Sequence, residues 1–122
     1  MTFSRLSTLA AATVAAVQRR LPEEIRPAAR AVPVHCQRTP DAAVLAGGLP
    51  ADLLGLFTGA ALDEDAGQNP VPPQILLYLD NLWDYADQDV PVFREEVRLT
   101  YLHELGHYLG WNEDEIAARG LD

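Results

Sequence analysis

Cysteine is nearly absent from this chain: Cys36 is the only one among 122 residues. No disulfide can close within the chain, so a reducing, cytoplasmic setting is expected. The surrounding VPVHCQ has the pattern of a buried strand, in which Cys36 packs as a small apolar residue. Positive charge is scarce as well. Nine Lys and Arg stand against eighteen Asp and Glu, a formal net charge of −9. Phosphate recognition needs a basic patch, so no nucleic-acid partner is expected, and an anionic membrane surface is disfavoured on the same ground. No apolar run is long enough to span a bilayer. No internal repeat is present. The opening MTFSRLSTLAAATVAAVQRR shares the outline of a secretory signal. Its apolar run is short and weak, however, and a single arginine precedes it. Leu6, Leu9, Thr13, Val17 and Leu21 recur at helical spacing, which assigns the stretch to a first amphipathic helix.

What is present is enough for one hydrophobic core. Apolar residues make up 48% of the chain, and the length is that of one domain. A monomer is expected. The first helix spans about Ser4–Arg20, with Ser4 or Ser7 as its cap. LPEEIRPAAR opens another helix at Pro22, its length limited by Pro27. Val32–Gln37 alternates as a first strand, and Pro33 marks it as an edge or a strand start. AAVLAGG is a short helical turn closed by glycine. Leu53–Gly59 is a second strand, with Leu54, Leu56 and Thr58 alternating with Gly55 and Phe57. ALDEDAGQNPVPPQ is a loop. Ile75–Leu82 is the third and most apolar strand, and WDYADQDVP is a connection. Asp89 caps a long final helix with Pro91 in its first turn, ending near Gly110. Three or four strands clustered between helices give an α+β domain: a small sheet packed against helices.

The final helix carries the chemistry, in HELGHYLGWNEDE. Leu99, Leu102, Leu105 and Leu109 form an apolar stripe toward the core. His103 and His107, four apart, share a flank beside it. Two imidazoles one turn apart can address a single tetrahedral metal ion, and ligands of this type suit zinc. Glu104 points beside the metal, where it can take a proton from the attacking water and pass it to a leaving amine. A catalytic zinc needs a third protein ligand. Gly110 can break the helix so that a later residue turns back, and Glu113 stands six residues after His107. Asp114 is the alternative. Gly106 inside the helix marks either a close neighbour or room at the metal.

These residues resemble the small bacterial zincin-like metallopeptidases, or minimal zincins, whose pattern HExxHxxGxxD stands here as HELGHYLGWNE. ILLYLDNL, VRLTYLHELGHYLG, LPEEIRPAARAVPVHCQ and LLGLFTG extend the likeness from about Ala15 to Leu121. The resemblance implies a single zincin-like domain over residues 1–122, with a C-terminal active-site helix. It implies His103 and His107 as metal ligands, Glu104 as general base, and Glu113 where the family has aspartate. A Met-turn is excluded, because Met1 is the only methionine. The implied function is zinc-dependent hydrolysis of a peptide or protein substrate, with a substrate strand adding to a sheet edge near Ile75–Leu82. Tyr101, Tyr108 and His35 are candidate oxyanion donors. The alternative is a zinc-stabilised binding module without proteolytic activity.

Overall fold

Alanine-rich sequence with a helical apolar stripe builds the first element. In the computed structural model, which describes residues 1–64 and 71–118, helix α1 runs Phe3–Arg20. Its cap is Thr2 rather than Ser4 or Ser7: the Thr2 hydroxyl accepts from the Arg5 N–H at 3.1 Å. The buried stripe is Leu6, Ala10, Val14 and Val17, continued by Leu21. Thr13 instead turns its hydroxyl onto the Leu9 carbonyl.

Helix α2 covers Arg26–Ala31. Pro27 does not limit this helix but opens it. Proline lacks only an N–H that the first turn leaves unpaired, and its φ is already helical. Strand β1 (Val34–Gln37) follows, then the short helix α3 (Ala42–Ala46), capped by Asp41 and closed at Gly47. Strand β2 is Gly55–Thr58 and β3 is Gln74–Tyr78. Of the expected loop between them, residues 65–70 lie outside the described residues.

The three strands are ordered β1-β3-β2. β1 runs parallel to β3, pairing Val34 with Ile75 through Gln37 with Tyr78. β2 runs antiparallel to β3, pairing Gly55 with Leu77 and Thr58 with Gln74. β3 is therefore the central strand, with both sides engaged. A substrate strand has no edge to join there, which corrects that expectation; the edges are β1 and β2. Central placement also explains the unbroken burial of Ile75, Leu76, Leu77 and Tyr78.

The third strand is shorter than its apolar run. At Leu79 the chain enters helix α4 (Leu79–Tyr85). The period changes there from two to three and four: Leu79 and Leu82 are fully buried and Ala86 nearly so. Asp87 and Gln88 then take left-handed backbone, φ 53° and 58°. Asp89 caps helix α5 (Val90–Tyr108), its carboxylate accepting from the Val92 N–H at 3.0 Å, with Pro91 in the first turn. The core stripe of α5 departs from the expected row of leucines. Phe93, Val97, Tyr101, Leu102, Leu105 and Tyr108 are buried. Leu109 is half-buried against them, while Leu99 faces a surface groove. The rest of the core comes from α1, α4 and one face of the sheet, Ile75 and Leu77. Helix α6 (Glu113–Ala118) closes the described chain.

Candidate metal centre

Helix periodicity sets the first two side chains. His103 and His107 project from one flank of α5, with ring centroids 4.8 Å apart and planes at 79°. Ligand atoms of His103, Glu104 and His107 all lie within 4.8 Å of one another. Between the histidines, Glu104 is directed at β2. Its Oε1 accepts from the backbone N–H of Phe57 at 2.9 Å. Burial pushes the Glu104 carboxyl above its ordinary range, while His107, the Phe57 N–H and His103 pull it back.

β2 comes this close because residue 55 is glycine. A Cβ there would stand 2.5 Å from the Thr100 methyl and 3.6 Å from Cγ of Glu104. Glycine inside a strand marks such approaches. It is the one sequence signal that would have pointed to β2 as the wall of the site. Next to it a cavity of about 350 Å³ is lined by Leu53, Leu54, Leu99 and Thr100, with His103 and Glu104 at one side.

The chain reverses within a few residues after His107. Trp111 N–H donates to Gly106 C=O and Gly110 N–H to His107 C=O, each at 3.0 Å. This pair of bonds is the Schellman closure, and it requires the left-handed φ of 82° at Gly110. Asn112 then caps α6. Its Oδ1 accepts from Glu115 N–H at 2.8 Å, while Asn112 N–H donates to the Glu115 carboxylate at 3.4 Å. This reciprocal box divides the acidic run. Glu115 caps, Asp114 is exposed, and Glu113 turns back to the histidines. Glu113 Oε1 lies 3.2 Å from Nε2 of His103 and 3.3 Å from Nε2 of His107.

Those two separations are compatible with ligands of one tetrahedral metal ion. Bonds of about 2.0–2.1 Å at tetrahedral angles hold ligand atoms roughly 3.3 Å apart. Two imidazole nitrogens and one carboxylate oxygen are a zinc-compatible donor set, and three protein ligands leave one position for reaction.

The other sequence candidates are dispersed. Tyr101 is fully buried and its hydroxyl accepts from Gln18 Nε2 at 3.0 Å, on the α1 side of the helix. Tyr108 is buried against Phe57, ring centroids 5.7 Å apart. His35 is exposed on β1, across β3 from the strand that borders the site. Tyr101 and His35 therefore lie away from Glu104, whereas Tyr108 packs on Phe57, the strand residue whose N–H donates to Glu104.

A family model described as zincin-like metallopeptidase matches residues 29–121, which takes in the end of α2 and every element after it. No curated protein matches the sequence.

Proposed function

Because the chain belongs to the zincin-like metallopeptidase family, whose members use zinc and act on peptides or proteins, we propose a specific division of labour. His103, His107 and Glu113 hold the zinc, and Glu104 is the general base of peptide-bond hydrolysis. The observation that carries this reading is the placement of one Glu113 oxygen at nearly equal distance from both histidine Nε2 atoms.

Zinc in such a site supplies a Lewis acid, which acidifies water and polarises a carbonyl. The rest of the work belongs to the protein. The Phe57 N–H fixes Oε1 of Glu104 and leaves Oε2 to receive a proton from the attacking water. Burial raises the basicity of that carboxylate, which improves its match to a proton that must be taken and then released to the departing amine. The leucine-lined cavity beside Glu104 gives one substrate side chain a dry surface. The outer edge of β2 is the sheet edge nearest Glu104, suited to pairing with an extended peptide. The proposal is for one domain over residues 1–122, working as a monomer. The lone, half-buried Cys36 supports a cytoplasmic setting. Among the described residues no helix is long and apolar enough to cross a membrane.

Two measurements test the reading together. Elemental analysis of untagged protein should find about one zinc per chain, as three ligands and an open position require. Cleavage of a peptide library should then occur with wild type and disappear with Glu104→Gln, zinc content unchanged. Zinc without any Glu104-dependent cleavage would instead favour the binding module, in which the metal serves only to tie α6 to α5.

A further inference from the structure

The last four carbonyls of α5 have no partners within the helix and must find them elsewhere. Leu105 C=O accepts from Leu109 N–H and Gly106 C=O from Trp111 N–H. His107 C=O accepts from Gly110 N–H. These three bonds are supplied by the turn itself. The fourth is not. Tyr108 C=O accepts from the N–H of Leu62 at 2.8 Å, the shortest of the four. The donor lies on the segment that leaves β2. The next residue, Asp63, lays its carboxylate over Gly110. A Cβ built on Gly110 would meet both carboxylate oxygens of Asp63 at 3.1 Å. The left-handed φ of 82° favours glycine at 110, and a side chain there would also crowd Asp63.

A carboxylate at a helix C-terminus faces the negative end of the macrodipole, and stability alone does not favour it there. The turn it covers is the one that carries Glu113 back to the histidines. The same stretch of chain also supplies the Phe57 N–H that fixes Glu104 and the Phe57 ring against Tyr108.

We infer that Leu62 and Asp63 are positioning residues for the third zinc ligand. The Leu62 N–H anchors the end of α5 and the Asp63 carboxylate backs the Gly110 turn, so that Glu113 is held at the two histidines before metal arrives. This inference rests on Glu113 being a ligand. Groups that orient metal ligands influence affinity without touching the ion.

The test is a double-mutant cycle read by zinc affinity, measured by competition with a chromogenic chelator. Leu62→Pro removes the N–H, and Leu62→Ala retains it. Asp63→Ala removes the carboxylate, and Asp63→Asn keeps its shape. Leu62→Pro and Asp63→Ala are expected to weaken zinc roughly 10- to 100-fold, with Leu62→Ala and Asp63→Asn closer to wild type. In a Glu113→Ala background the same changes should cost little further, because the residue through which they act is gone. Equal losses in both backgrounds would overturn the inference, as would unchanged zinc affinity accompanied only by a lower melting temperature of the metal-free protein. If Glu113→Ala itself leaves zinc affinity unchanged, the ligand assignment fails first, and the positioning role with it. If Leu62→Pro does not fold, Asp63→Ala against Asp63→Asn carries the cycle alone.

Discussion

The two ends of α5 follow different rules. At its N-terminus, Asp89 caps, Pro91 occupies the first turn, Phe93 and Val97 are fully buried, and Glu95 pairs with Arg98 on the exposed side. Each choice is one that a stable helix favours. At its C-terminus a partly buried carboxylate, an interior glycine and a covering Asp63 each oppose stability. Local rules agree with one another where the helix is only scaffold, and they conflict where it holds chemistry. Costs gathered into one turn and a half of helix are the physical mark of the site.

The largest break in that comparison is Glu104→Gln. Removing a general base should lower turnover by about 10²–10⁴. Stability should move the other way in metal-free protein. The folded carboxyl has its pKa raised by burial, so the native state holds its proton to higher pH than the unfolded chain does. Stability therefore falls as pH rises from the ordinary carboxylate range through the raised value. Glutamine has no such slope and still accepts the Phe57 N–H. Denaturant titrations across pH should show the variant at least as stable as wild type at neutral pH, with the fall across that window absent. A variant clearly less stable at neutral pH would mean that burial of Glu104 is not a cost.

Metal removal comes next. Zinc present at a hundred times its dissociation constant stabilises the native state by about 2.7 kcal/mol. Chelation should lower the melting temperature of wild type and leave His103→Ala unmoved. A wild-type melting temperature indifferent to chelator would remove the metal from the C-terminal end of α5, and with it the explanation of the conflict.

How much of this was visible in the amino-acid sequence depends on distance along the chain. Asp89 and Pro91 sit together at one end of the helix, and His103, His107, Gly110 and Glu113 fall within eleven residues at the other, so spacing alone groups each set. The strand order was hidden, because the pairing of β3 with both β1 and β2 joins residues far apart and leaves no local pattern. Burial on both sides also made Ile75–Leu82 look like one strand. Leu79 and Leu82 fit an apolar run and a helix equally well, and only Ala86, a further turn on, tips the pattern. The Phe57 N–H that holds Glu104 is a backbone donor without a side-chain signature; Gly55 was its only trace. The row of leucines holds at Leu102, Leu105 and Leu109 but not at Leu99, which is left to the groove, while Tyr101 and Tyr108 add buried positions that no leucine marks.

Gly110→Ala breaks the C-terminal end by geometry. Left-handed backbone costs a residue with a Cβ about 1–2 kcal/mol, and the new methyl would press on Asp63 as well. Thermal unfolding should show a loss of at least that size. Gly47 also closes a helix, but its φ is −76° and its Cβ would meet nothing nearer than 3.4 Å. Gly47→Ala should therefore be close to neutral. Equal effects at the two glycines would mean that neither the left-handed φ nor the Asp63 contact constrains the turn.

The smallest change sharpens the comparison from the other end. Asp89→Ala removes the carboxylate that accepts the Val92 N–H, and loss of such a cap costs about 1 kcal/mol. The lesion is more than a dozen residues along the helix from His103. Core packing at Phe93, Val97 and Tyr101 lies between the two. Because the cap acts on folding and not on ligand geometry, urea titration should show a lower midpoint with an unchanged slope, while zinc affinity of the folded protein stays at the wild-type value. A parallel loss of zinc affinity would show that strain at the first turn reaches the last, so that α5 behaves as one cooperative unit rather than as a scaffold joined to a site.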